Sequence, residues 1–270
     1  MSYSLTVEIE SFSHELSQDT LNLFNLPGSG IHAECVSPST CKITFNNTIL
    51  QGLEKHKQTD SAYIIAQIML VTMNIVTQGF FTWVKRFSLD PIVHENRAGE
   101  ESRDISLSVS RDLQIGPVRK LGDEDVRLMF IIFGSIARDL DTSIRNDYMK
   151  GVLLLSQSHY DINFHKEAFF NFYRCIEGVV TRKYLITKKL NNELKEISGV
   201  LQSIGCDEFL LRQFKEIYIL RGNDVAHSQK TQKDISFDEA FSAKVFADIL
   251  LLGFYKKFAE ENRPSRQAKI

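Results

Sequence analysis

No proline interrupts the chain between Pro117 and Pro264, although five occur among its 270 residues. Nothing in that stretch forbids continuous helical hairpins. Cysteine is just as sparse. Cys35, Cys41, Cys175 and Cys206 are scattered and form no C-x-x-C pair, which excludes a disulfide scaffold and points to a reduced, cytoplasmic setting. Cys35 and Cys41 flank a turn and read as ordinary small buried residues. Charge of one sign is missing too: 32 Lys and Arg against 34 Asp and Glu leave a net −2, so any contact with nucleic acid must be local. With 14 Gly, 5 Pro, 43% hydrophobic and 24% charged residues, disorder, collagen and low-complexity classes are excluded.

Long apolar runs are also lacking. The best one, residues 62 to 84, is broken by Gln67, Asn74, Gln78 and Gly79 and reads as a buried helix, so no membrane partner is expected. The first residues show no basic stretch followed by an apolar run and read as mature chain. The seven histidines offer no pair at metal-binding helical spacing with an acidic partner, and no metal or other cofactor is expected. No G-x-G-x-x-G, G-x-x-x-x-G-K-[ST] or G-x-S-x-G occurs, which removes the commonest phosphate cradles and the serine-hydrolase elbow.

What is present divides the chain in two. Leu5-Thr-Val-Glu-Ile-Glu10 and the segment around Lys42-Ile-Thr-Phe45 alternate with period two, with Pro27-Gly-Ser-Gly30 and Ser37-Pro38 as turns. Asp104 to Ser110 alternates again after a polar stretch, residues 95 to 103, that resembles a hairpin loop. Phe80-Phe-Thr-Trp83 is expected to close the long helix against the sheet. Residues 1–120 thus read as an α+β domain of unassigned role. Residues 121–263 read as all-α, with helices expected over 124–141, 144–157, 164–187, 191–203, 207–221 and 237–261, followed by a basic tail at 264–270. Two helix starts have local reasons. Ser236-Phe-Asp-Glu239 forms a capping box, and Asp207 is placed to cap the helix beginning at Glu208.

The segment 214 to 228 stands out. Leu210, Phe214 and Ile217 make an apolar stripe, and Arg221 extends it four residues further. A guanidinium on an inward stripe is costly unless it pairs or lies at an interface. Gly222 then offers a helix stop or kink, and His227 follows Val225-Ala226.

Arg221-Gly-Asn-Asp-Val-Ala-His227 resembles the R-x(4–6)-H motif of HEPN domains, α-helical bundles found in many prokaryotic toxin and antiviral-defence ribonucleases. Upstream, Tyr148 to Ser156 followed by Ala168 to Glu177 is similar to the paired helices that precede the motif in that family, including the glutamate late in the second helix. The resemblance covers roughly residues 123 to 261. It implies a bundle that dimerises and cleaves RNA without metal: a ribose 2′-hydroxyl attacks the adjacent phosphate, leaving a 2′,3′-cyclic phosphate and a 5′-hydroxyl. The carried-over roles are His227 as general acid or base and Arg221 as charge stabiliser, with Asn223, Asp224 and Glu177 in support. Imidazole suits proton transfer at neutral pH, and guanidinium suits paired phosphate oxygens. The implied partners are RNA, a second copy of the chain, and an antitoxin or defence partner.

This sequence departs from the pattern at Gly222, which stands where active members often carry a polar residue, with Asn223 one position later. Six residues of straight helix rotate by about 240° and rise about 9 Å, so Arg221 and His227 would not share a face. Either Gly222 bends the chain or each side chain meets its partner across a dimer interface. Two other readings stand beside the enzyme. One is an inactive HEPN-like dimerisation or RNA-binding module; the other is a helical adaptor in which Arg221 is tied internally to Glu177 or Asp224. Residues 180 to 233 hold ten Lys or Arg against six acids, which would attract an RNA backbone or simply solvate helix faces. Phe169, Phe170, Phe172 and Tyr173 mark their helix as central core.

Overall fold

The computed structural model of the chain describes residues 3–25, 30–45, 55–83, 92–95, 118–157, 163–226 and 234–261. They form an N-terminal antiparallel sheet with one long helix, followed by a helical region. The chain divides into two compact units, Met1–Phe133 and Gly134–Ile270, and the division falls inside a helix. The change of pattern in the sequence, between residues 116 and 122, lies just ahead of that helix. The alternating segment at 104 to 110 and the basic tail lie outside the described residues.

In the first unit, β1 (Tyr3–Ser11) is central. It pairs antiparallel with β4 (Thr40–Phe45) in the register Val7↔Ile43 and Ile9↔Cys41, and β4 pairs in turn with β3 (Ile31–Ser37). Alternation sets the faces: Val7, Ile9, Ile31, Ala33, Cys41, Ile43 and Phe45 are buried, while their neighbours are exposed or half-buried. Two short strands, β5 (Phe81–Trp83) and β6 (Ile92–Glu95), pair with opposite ends of β1. A separate parallel pair joins β2 (His14–Glu15) to β7 (Arg119–Lys120). A single turn, α1 (Gln18–Leu21), is capped by Ser17.

The apolar segment forms α2 (Lys55–Thr77), buried on every side from Ala66 onward. Thr72 and Thr77 donate back to the Ile68 and Met73 carbonyls of the helix. Asn74 donates to the Leu70 and Phe81 carbonyls, both at 2.9 Å, and accepts from the Phe81 amide at 3.0 Å. Phe81-Thr-Trp83 closes the long helix against the sheet, as expected, and does so as a strand of the sheet that Asn74 fastens to α2. Gly79 makes the turn possible, because a Cβ there would lie 2.6 Å from Ser13 Oγ. Among the described residues no helix is long and apolar enough to cross a membrane.

The helix carrying the division is α3 (Asp123–Asp139), whose first turn holds Asp123, Glu124 and Asp125 at the positive end of its dipole. In the second unit follow α4 (Thr142–Gln157), α5 (His165–Val179), α6 (Glu193–Ser203), α7 (Glu208–Ala226) and α8 (Phe237–Glu261). α5 packs against both α4 and α8 and buries Phe169, Phe172, Tyr173, Cys175 and Ile176. Gly151 lets α4 approach it, since a Cβ there would meet the Phe172 ring at 2.6 Å. A fully buried ion pair on α8, Lys244 Nζ to Asp248 Oδ2 at 2.6 Å, receives the Tyr148 hydroxyl from α4 at 2.5 Å.

Three expected boundaries shift. The helix expected over 164–187 is regular only to Val179 and then widens into a π-type turn, Val180–Tyr184. The helix expected to end at Arg221 continues to Ala226, so Gly222 neither stops nor caps it. The helix expected from 191 starts at Glu193, because Asn192 caps it by accepting from the Lys195 amide at 3.2 Å. Both caps expected from the sequence are formed. Asp207 accepts from the Leu210 amide at 2.9 Å, and Ser236 and Glu239 close a reciprocal box.

Candidate functional site

α7 is oriented by its stripe: Phe214 and Ile217 are buried, and Phe214 meets Phe246 of α8 with ring centroids 5.3 Å apart. Four residues beyond Ile217 the stripe reaches the edge of the bundle, and there Arg221 emerges with its side chain 33% exposed. The guanidinium is held from three sides. Nη2 donates to Glu177 Oε1 at 2.9 Å, Nη1 lies 3.1 Å from Glu193 Oε2, and the guanidinium carbon sits 5.2 Å from the centre of the Tyr173 ring. Tyr173 and Glu177 come from one face of α5, four residues apart. Glu193 is the first residue of α6, fixed there by the Asn192 cap. The Tyr173 hydroxyl donates to Glu193 Oε1 at 2.6 Å and closes the circuit.

Two carboxylates around one cation make a charge-rich, part-exposed cluster. Burial pushes the Glu177 carboxyl from its ordinary 4.5 up to about 7; hydrogen bonding to Glu193 and that group's charge add to the rise, and Arg221 opposes it. Glu177 therefore titrates near neutrality. The Tyr173 phenol is pushed far above its usual range, first by burial and then by Glu193, so its hydroxyl stays a donor. Such a set can do two things: hold a guanidinium in fixed orientation beside solvent, and exchange a proton at neutral pH through Glu177.

Of the residues singled out in the sequence, the structure brings Arg221 and Glu177 together. Asn223 and Asp224 lie in the last turn of α7, and His227 lies outside the described residues. The internal ion pair considered for Arg221 is present with Glu177, and Glu193 is a second partner that the sequence did not suggest. Tyr173, expected from the sequence in the core, is buried, and its ring and hydroxyl also serve the site. Its spacing of four from Glu177 was the available signal. Glu193 had none beyond its place after a capping asparagine, because its partners come from other helices. Among the described residues no group of three or more His, Cys, Asp or Glu side chains is arranged to hold a metal ion.

No protein-family model, no curated protein and no solved structure matches this chain.

Proposed function

We propose that the helical unit is a HEPN-type bundle that cleaves RNA without metal, with Arg221 as the phosphate-stabilising cation and His227 as the proton-transfer group. The observation that carries this reading is the anchored Arg221. A guanidinium fixed by Glu177 and Glu193 at 2.9 and 3.1 Å, stacked on Tyr173 and one-third exposed, is preorganised where a substrate phosphate can reach it. In the reaction the ribose 2′-hydroxyl loses its proton and attacks the adjacent phosphorus. The bond to the 5′-oxygen breaks and that oxygen takes up a proton. The products are a 2′,3′-cyclic phosphate and a 5′-hydroxyl. His227 serves one of the two proton transfers, Arg221 stabilises the dianionic transition state, and Glu177 positions Arg221. Asn223 and Asp224, one turn on, are supporting residues of the same motif. A second copy of the chain completes the site, and the first unit recognises a trigger, an antitoxin or the RNA itself. The setting is the cytoplasm, in toxin activity or antiviral defence.

The test is incubation of wild-type protein and the Arg221→Ala/His227→Ala variant with total RNA in excess EDTA, followed by analysis of fragment ends. Cyclic phosphates from wild type alone are expected; equal cleavage by the variant removes the proposal. One observation favours a second reading, a helical adaptor in which Arg221 is tied internally: both terminal nitrogens of its guanidinium already engage carboxylates. Folded wild type that neither cuts nor retains RNA selects that reading.

A further inference from the structure

Ile186 adopts φ +49° and is 84% exposed. A β-branched residue in the left-handed region is strained, and helix ends that use this conformation ordinarily place glycine there. The widened turn before it imposes the geometry. The Leu185 amide donates to the Val180 carbonyl at 2.9 Å, and the Thr187 amide to the Thr181 carbonyl at 2.8 Å. Folding of this unit thus gains nothing from isoleucine: glycine would relieve the backbone and leave no aliphatic side chain in water. Leu185 beside it is 42% exposed. Lys188 and Lys189 follow, both exposed and neither in an ion pair among the described residues. The connection between α5 and α6 is therefore an aliphatic knob with two cations at its base.

The same unit carries a groove of opposite charge. It lies between α7 and the start of α8, encloses about 430 Å³, and its lining includes Ile217, Ile219 and Leu220 together with Glu216, Asp238 and Glu239. Ile219 is 46% exposed, and no lysine or arginine lines the groove. Glu239 is engaged in the Ser236 cap, which leaves Glu216 and Asp238 as the lining charges outside any ion pair among the described residues.

We propose that the Leu185–Ile186 knob of one copy seats in the α7–α8 groove of a second copy, with Lys188 and Lys189 against Glu216 and Asp238. The knob stands open to solvent in its own chain, so its occupant is another molecule, and apolar tip to apolar groove with lysine to carboxylate is the complementarity a specific interface needs. If each copy both gives and receives a knob, the pair closes as a two-fold dimer; one-way seating propagates a chain. This inference goes beyond the ribonuclease reading, which places a second copy at Arg221 and not at the Leu185–Ile186 knob, so the knob and groove variants, rather than association by itself, distinguish the two.

Sedimentation velocity of the full chain over a concentration series tests it. Wild type is expected to associate. Ile186→Gly is expected to weaken association by roughly tenfold or more while raising the thermal midpoint of the monomer, a combination that a merely structural isoleucine would not give. Lys188→Glu/Lys189→Glu and Glu216→Lys/Asp238→Lys should each weaken association, and mixing the two charge-reversed proteins should restore it. A wild type that stays monomeric into the high-micromolar range overturns the proposal. So does association that the knob and groove variants leave unchanged, or folded charge-reversed partners that fail to combine.

Discussion

Glu177 and Glu193 come from successive helices and share one guanidinium, 2.9 Å from the first carboxylate and 3.1 Å from the second. With two negative groups and one positive, the cluster is short of one positive charge when both carboxyls are ionised. Burial first, and then the hydrogen bond and charge of Glu193, keep the proton on Glu177 up to about 7, and that proton relieves the deficit.

That retention makes stability depend on pH. In the unfolded chain Glu177 releases its proton near 4.5, in the folded one near 7, so folding takes up a proton between those values. The contribution is fully present below 4.5 and is lost as pH rises through about 7. The whole shift corresponds to about 3 kcal/mol, and partial exposure reduces it to about 1–2 kcal/mol. Glu177→Gln keeps an oxygen for Arg221 but cannot ionise. Between pH 5 and pH 8 the variant should lose about 1–2 kcal/mol less stability than wild type in urea denaturation. Parallel pH profiles for the two proteins would sink this account.

Removing the cation has the opposite effect. Arg221→Ala leaves Glu177 and Glu193 facing each other, and at pH 8 this should cost about 1–3 kcal/mol, below the roughly 3–5 kcal/mol of a fully buried broken pair because Arg221 is partly exposed. At pH 5 the penalty should shrink, because the carboxyls can share protons. Arg221→Lys should fall between, since an ammonium lacks the fork that reaches two carboxylates. An Arg221→Ala variant as stable as wild type at pH 8 contradicts the clamp. RNA assays of these variants belong at temperatures where each is folded.

Local chemistry was legible in the sequence, and long-range chemistry was not. β1 and β4 follow from period-two alternation, and the starts of α7 and α8 follow from Asp207 and from Ser236 with Glu239, because a cap is made by residues three apart. The stripe of Phe214 and Ile217 led to Arg221, which the structure pairs with Glu177. Gly222 misled because glycine ends a helix only where the chain leaves helical geometry, and α7 carries it at a cost of about 1 kcal/mol. Gly79 is needed because Ser13 and His14 crowd it, and those neighbours arrive through the fold. Glu193 was hidden for the same reason.

The fold also assigns opposite signs to chemically identical substitutions. Gly151→Ala puts a methyl group 2.6 Å from the buried Phe172 ring, and overpacking of about 1–3 kcal/mol should outweigh the helix-propensity gain of up to about 1 kcal/mol. Gly199→Ala, on α6 with nothing within 4 Å of its added Cβ, should stabilise by about 0.5–1 kcal/mol. Thermal unfolding of the two variants side by side checks the pair. Equal shifts would mean that α4 and α5 are not in close contact at Gly151.

Lys244 and Asp248 provide the sharpest test of the bundle interior, because both are fully buried. Burial pushes the lysine's pKa down and carries the Asp248 carboxyl up to about 6, with Lys244 and the Tyr148 hydroxyl pulling the latter back. Lys244→Met removes the larger of those two restraints and leaves a buried carboxyl that must either take up a proton on folding or carry an uncompensated charge. At pH 7 the variant should be about 3–5 kcal/mol less stable than wild type. Without Lys244 the carboxyl of Asp248 rises further, so its proton is taken up on folding over a window that opens at 3.8 and extends above 6. Stability of the variant should therefore go on falling with pH above about 6, where the Asp248 contribution in wild type has levelled off, and most of the loss should be recovered near pH 5. Asp248→Asn placed on the Lys244→Met background removes the charge altogether and should restore part of the stability at pH 7 while flattening the profile. A Lys244→Met protein whose deficit is the same at pH 5 and pH 7 would show that lost packing, not an unpaired carboxylate, sets the cost.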